Sequence, residues 1–176
     1  MNKLVVVING KGGVGKDTLC SFVAKKYKVM NVSSIDPIKD AAKRLGWKGQ
    51  KDNKSRKLLS DLKRISIEFN DFPNIYLSHK YNQFVNSNYE VLFVHIREKE
   101  QINHFTQTLG INVVTLLIRR KISVYAYGNI SDDNVEEYDY DYVYNNDKPL
   151  AETANDFLDF FDEIFRCHVN NYESKV

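Results

Sequence analysis

The stretch Val5–Ser21, VVVINGKGGVGKDTLCS, leaves this chain few folds to choose from, because it reads as a buried strand, a glycine-rich turn and a helix start. Leu4 to Ile8 is an unbroken apolar run suited to a central parallel strand, and Leu19, Phe22 and Val23 recur at helical spacing after the turn. Between them stands Gly10-x-x-x-x-Gly15-Lys16. That is the spacing of a phosphate-binding loop, in which main-chain N–H groups wrap the β-phosphate of a nucleotide and the lysine neutralises the β and γ oxygens. Glycines let the main chain turn tightly against an anion, and the following helix presents its positive N-terminal end. Gly10, Lys11, Gly12, Gly13, Val14, Gly15, Lys16, Asp17 and Thr18 are the candidate nucleotide-binding residues.

One position departs from the pattern. The residue after the lysine is normally Ser or Thr, whose hydroxyl ligates Mg²⁺, but here it is Asp17, followed by Thr18. Mg²⁺ prefers hard oxygen ligands and keeps much of its hydration shell, so a carboxylate serves equally well, directly or through water. Asp17 and Thr18 are both candidate metal ligands.

With 176 residues, 43% hydrophobic and 27% charged, the chain suits one compact α/β domain. Cys20 and Cys167 show no metal spacing and fall in helical patterns, which fits reduced, partly buried thiols of a cytoplasmic protein. The first apolar run is too short for a signal-peptide core or a membrane span. Charge is unevenly spread: Lys39 to Arg64 holds ten Lys/Arg against three Asp, whereas Ser131 to Glu163 holds twelve Asp/Glu against one Lys. The first block suggests an anion site and the second a solvated acidic surface.

Along the chain, the pattern predicts a first helix to about Lys28, a strand over Val29–Ser33 and a helix from Ile38 to about Leu45. Asp36 precedes that helix, either as its N-cap or as a reactive carboxylate at the strand's carboxyl end. Lys54 to Asn70 reads as one long helix with Leu58, Leu62, Ile65 and Phe69 on a single face and Arg56, Ser60 and Lys63 opposite, a basic face that is either solvated or a phosphate site. A further helix over Asn74–Asn86 carries Tyr and Phe that suit a core. Val91 to Ile96 is a buried strand delivering His95, Arg97 and Glu98 to its carboxyl end. His95 suits core packing, since no His or Cys is spaced to share a metal with it. Arg97 is placed to meet a phosphate. Glu100–Leu109 is predicted as a helix stopped at Gly110, Ile111–Ile118 as a fourth strand ending in Arg119-Arg120-Lys121, and the long polar stretch to about Tyr138 as a lid. Asp141–Tyr144 is a last short strand, and Leu150–Cys167 a closing helix whose inner side is Phe157, Leu158, Phe161, Ile164 and Phe165, with the last eight residues frayed.

Strands alternating with helices, a phosphate loop after the first and arginines after the fourth resemble the nucleoside monophosphate kinase group of P-loop kinases. Gly15-Lys16-Asp17-Thr18 is similar to the GKDT of phage-type deoxynucleoside monophosphate kinases, and Ser34-Ile35-Asp36-Pro37-Ile38-Lys39 to their ADPLK segment. Val94-His95-Ile96-Arg97 occupies the place of their DVR, with His95 where they have Asp, and Asp141-Tyr142-Val143 through Asn145-Asn146-Asp147 resembles an ending shared with dephospho-coenzyme A kinases. The resemblance implies a three-layer α/β P-loop NTPase fold over residues 1–170, with a five-stranded parallel sheet, helices on both faces, an acceptor-binding helical insert over 38–88, a lid over 119–138 and a frayed tail over 171–176. It implies ATP and Mg²⁺, a small phosphorylated acceptor such as a (deoxy)nucleoside monophosphate, and neither nucleic acid nor membrane as partner, with the oligomeric state open. Lys16, Asp36, Arg119 and Arg120 would then be catalytic, and Lys39, Arg56, Lys63 and Arg97 would hold the acceptor. A second resemblance is local: Lys11-Gly12-Gly13-Val14-Gly15-Lys16 matches the deviant loop of partition and cell-division ATPases, in which the extra lysine, here Lys11, reaches across a dimer. A nucleotide-binding regulator with weak or no catalysis is a third reading, raised by His95.

Overall fold

The computed structural model describes residues 3–109, 113–121 and 134–170. Its centre is a parallel sheet in which β1 (Leu4–Asn9), β2 (Val29–Ser33), β3 (Val91–His95), β4 (Val113–Arg119) and β5 (Tyr142–Asn145) stand in the order β2-β3-β1-β4-β5. β1 is paired on both sides, Val7 lying opposite Val94 in β3 and Thr115 in β4, which is why its apolar run is unbroken. Successive side chains leave a strand on opposite faces. Leu4, Val6 and Ile8 pack with α1 (Lys16–Val23) and with Phe157, Phe161 and Ile164 of α6 (Leu150–Asn170). Val5 and Val7 pack on the other face, with Leu77 and Phe84 of α4 (Phe72–Val85) and Ile102 and Phe105 of α5 (Lys99–Leu109). The three layers are those of an α/β P-loop fold. Among the described residues no helix is long and apolar enough to cross a membrane.

Several boundaries differ from the sequence reading, each for a local reason. The first helix ends at Val23, not near Lys28: Lys25 N–H and Lys26 N–H bond three residues back, and this tighter turn brings Tyr27 onto Phe161 and Phe165 and its hydroxyl to Asp162. α6 continues to Asn170 because Val169 is still buried, so the fraying expected from residue 169 does not begin there. Cys20 is buried, but Cys167 is exposed rather than partly buried. Gly110, the lid residues 122–133 and the tail 171–176 lie outside the described residues. At the end of the predicted lid, Asn134–Glu137 forms a 3-10 turn.

The largest difference concerns α3 (Asn53–Asn70), which follows α2 (Asp36–Arg44). Asp52 caps α3 by accepting from Ser55 N–H at 2.7 Å. The helix packs against α2 and α4, and its apolar period is only partly turned inward, with Leu58 and Leu62 half-buried. Ile65 is 52% and Phe69 84% exposed, whereas the side chain of Lys63, expected on the opposite, basic face, is only 11% exposed. An apolar stripe shows that a face is apolar; it does not name the neighbour. On the inward side of α3, Lys63 forms an ion pair with Glu98, just beyond β3.

Candidate functional site

The carboxyl ends of β1, β3 and β4 carry the site. Asn9, the last residue of β1, is 1% exposed and uses its whole amide: its oxygen accepts from Gly10 N–H at 2.8 Å, and its nitrogen donates to the Arg97 carbonyl at 3.1 Å and to the Tyr140 hydroxyl at 2.7 Å. The chain then enters the glycine-rich turn, whose Val14 is buried while Lys11, Gly12 and Gly13 are exposed. Gly15 has φ of 96°, in the left-handed region, and a Cβ there would stand 2.6 Å from the Asn146 amide nitrogen. Glycine is therefore required at 15 on two counts, backbone and space. Asn146 fills that space by donating to the Val14 carbonyl at 2.8 Å, which ties the turn to the end of β5. Lys16 Nζ arches back over the turn onto the Gly10 and Lys11 carbonyls at 2.6 and 2.9 Å. Asp17 and Thr18 lie exposed on the first turn of α1, where a helix N-terminus favours anions.

Beside the turn, the two arginines at the end of β4 separate. Arg119 donates from Nε and from its terminal nitrogen to Glu136 at 2.9 and 2.5 Å, which holds its guanidinium protonated and anchors the 3-10 turn. Arg120 instead lines a small cleft with Gly15, Thr18, Asn146 and Lys148. The β4 and β5 ends are locked to each other as well, since Asn146 N–H donates to the Arg119 carbonyl at 2.8 Å and Lys121 N–H to Asp147 at 2.6 Å. Asp141, one strand turn earlier, accepts from both the N–H and the hydroxyl of Thr115.

On the other side of the turn lie the residues expected to hold the acceptor. Asp36 is not the N-cap of α2: Ile35 occupies that position, and the Asp36 carboxylate turns back to accept from Ser33 N–H at 2.7 Å, with its other oxygen 3.7 Å from Lys39 Nζ. Lys63 reaches both Glu98 oxygens at 2.6 and 2.7 Å and the Ser34 hydroxyl at 3.4 Å. Arg97 is exposed at the end of β3, and Arg56 is half-buried in the first turn of α3. His95 stands between the two sides. Its Nε2 is 2.7 Å from the Asn31 side-chain oxygen, so that nitrogen carries the proton, and burial pushes its pKa down to about 4, with the Asp17 and Asp36 carboxylates raising it and Lys16 and Lys39 lowering it. His95 is thus neutral near pH 7. Cys20, buried beside this seam, has its thiol pushed up to about 12 by burial and by Asp17, which leaves it unreactive.

Asp17 and Thr18 remain the metal candidates on chemistry: Mg²⁺ takes one or two protein oxygens and completes its shell with phosphates and water, and these two side chains stand free of the main-chain turn. Asn9, Tyr140 and Glu136 go unmarked in the sequence reading, and Glu98 enters it only as a residue at the carboxyl end of β3. Asn9 was the most findable, as the polar residue closing an apolar strand directly before Gly10.

No family model and no curated protein matches this chain. Among solved structures, it is similar to a kinase candidate from Chloroflexus aurantiacus J-10-fl, with a TM-score of 0.57 and 12% identity over 95% of this chain and 98% of that one. It is also similar to a gluconokinase from Sinorhizobium meliloti 1021, with a TM-score of 0.52 and 12% identity over 99% of this chain and 98% of that one. At such identities the likeness is one of fold alone, and the shared fold is the three-layer α/β arrangement around a five-stranded parallel sheet.

Proposed function

We propose that the protein transfers the γ-phosphoryl group of ATP to a small phosphorylated acceptor, of which a (deoxy)nucleoside monophosphate suits the residues best. The observation that carries this reading is the built phosphate loop, in which Gly15 leaves room only for Asn146 and Lys16 lies directly over the turn. ATP would lie along residues 10–18 with its base toward the cleft beside Arg120, and the acceptor across the sheet edge at Asp36, Lys39, Arg56, Lys63 and Arg97. When bound, Mg²⁺ neutralises charge on the β and γ oxygens, and Asp17 or Thr18 would hold it.

The protein's own part is positioning and charge, since phosphoryl transfer leaves it little covalent work. Lys16 releases the Gly10 and Lys11 carbonyls to meet the nucleotide phosphates. Arg120 supplies a planar fork next to the loop, whereas Arg119 holds the 3-10 turn through Glu136 and supports the site from outside. Asp36 faces the acceptor with one oxygen already fixed by Ser33, so it orients a hydroxyl or a phosphate-bound water. Incubating the protein with ATP, Mg²⁺ and a panel of monophosphates that includes dephospho-coenzyme A, and following every phosphorus resonance, tests the reading. Transfer to one acceptor class is expected. Slow hydrolysis alone across the panel would favour a nucleotide-binding regulator, and ATP-driven dimerisation would favour the partition-type reading through Lys11.

A further inference from the structure

The polar contacts around Asn9 join three segments that the proposed reaction needs in register. Through its side chain, Asn9 holds Gly10 at the entrance of the phosphate loop and the Arg97 carbonyl at the end of β3. Its remaining donor goes to the Tyr140 hydroxyl, which in turn donates to the Val135 carbonyl at 2.9 Å. Val135 is 1% exposed and sits in the same 3-10 turn as Glu136, the partner of Arg119. Gly10 closes the circuit, because a Cβ there would collide with the Ile118 carbonyl of β4, one residue before Arg119. The Tyr140 ring packs edge-on against Tyr138 and within the α4 and α5 side of the core, so its position is set by packing and its hydroxyl by two hydrogen bonds.

We infer that Asn9 and Tyr140 are positioning residues: a buried hydrogen-bonded bridge that holds the phosphate loop, the acceptor-side end of β3 and the segment returning after β4 in one geometry. The inference rests on the proposed phosphoryl transfer. The chemistry of the bridge is one-directional and fully used. The Asn9 nitrogen has two protons and two acceptors, and the Tyr140 hydroxyl has one proton, given to Val135, and accepts from Asn9. Removing the hydroxyl takes one donor from the Val135 carbonyl and leaves one Asn9 proton without its partner in a part-buried place, and those groups then shift to find others. Such a shift reaches Gly10, whose carbonyl Lys16 grips, and Arg97 at the same time. Transfer needs both ends aligned, so the loss falls on the rate of the chemical step rather than on the affinity of either substrate.

Tyr140→Phe is the informative variant, since it keeps the ring and removes only the oxygen. Under saturating substrates its single-turnover transfer rate should fall about tenfold, the scale of one misaligned buried hydrogen bond, while both Michaelis constants stay within about twofold of the parent. Asn9→Asp, which keeps the shape and loses both donors, should fall at least as far. A lower melting temperature with an unchanged transfer rate would overturn the inference, because that is what a merely structural hydroxyl would show. Amide exchange with ADP and Mg²⁺ gives a readout independent of transfer. In the parent, ADP should slow exchange both at residues 10–16 and at residues 134–140, and in Tyr140→Phe only at the loop. Protection confined to the loop in the parent overturns the bridge, even if the variant fails to fold. If the parent shows the paired protection but phosphorylates nothing, the bridge stands and the kinase reading falls.

Discussion

The two sides of the phosphate loop are built differently. Toward β4 and β5 the loop and the strand ends are tied by hydrogen bonds that involve the main chain, Asn146 to Val14, Asn146 N–H to Arg119 and Lys121 N–H to Asp147, and the ion pair of Arg119 with Glu136 lies outside these ties. Toward α2 and α3 they are ion pairs between long side chains, Lys39 with Asp36 and Lys63 with Glu98. A main-chain hydrogen bond fixes geometry at little conformational cost, whereas an ion pair of flexible chains can open when a stronger anion arrives. On the proposed function, the donor side would be shaped before the nucleotide comes, and the acceptor side would carry cations that its own carboxylates hold until a phosphate competes for them.

The sharpest way to break that contrast lies at β4. Arg120→Lys keeps the charge and loses the fork, and the transfer rate should drop at least about a hundredfold at saturating substrates, while Arg119→Lys, which disturbs only the Glu136 anchor, should cost far less. Equal effects at the two positions would remove the distinction drawn between them. On the same side, Asn146→Ala frees the Val14 carbonyl and opens space beside Gly15; ATP affinity should fall about tenfold by titration, with the acceptor's Michaelis constant unaffected. A change confined to the acceptor would mean that the donor side is not held by this amide.

The acceptor side calls for a change of opposite sign. Glu98→Gln releases Lys63 from its ion pair, so a phosphorylated acceptor should bind about fivefold more tightly, and ATP no differently. Weaker acceptor binding would show that Glu98 orients Lys63 rather than competing with the substrate. The smallest effect is expected at the seam. The His95 pKa is about 4 in the fold against an ordinary 6.5, so its contribution is complete above pH 6.5 and is lost as the pH falls toward 4, where the unfolded chain takes up a proton that the folded one refuses. Stability should drop by about 1 kcal/mol between pH 7 and 5.5, and His95→Gln should flatten that slope in denaturant titrations.

How far the sequence could be read follows the same division. Gly10, Gly15 and Lys16 are legible because a main-chain cradle imposes residue types at fixed spacing, and the strands are legible because β1, β3 and β4 are apolar along most of their length. Asn146 and Asp147 stood in a recognisable segment, although the space left by Gly15 is what explains Asn146. α3 misled. Its apolar period marks a single face without naming the neighbour, and of that face Ile65 and Phe69 are exposed while Lys63, opposite, pairs with Glu98, a residue far away in the chain. The same distance hid Asn9 with Tyr140 and Arg119 with Glu136, whose partners no local spacing announces.

In the proposed function the loop around Lys16 delivers the γ-phosphoryl group to an acceptor, and Lys16→Ala removes the ammonium on which that delivery depends. Parent and variant are compared side by side for phosphoryl transfer from ATP to the best acceptor, after circular dichroism has shown the same fold for both. The parent should transfer rapidly and the variant at least about a hundredfold more slowly, because it has no ammonium over the turn to meet the phosphates. Equal turnover by the two proteins would contradict the proposed function.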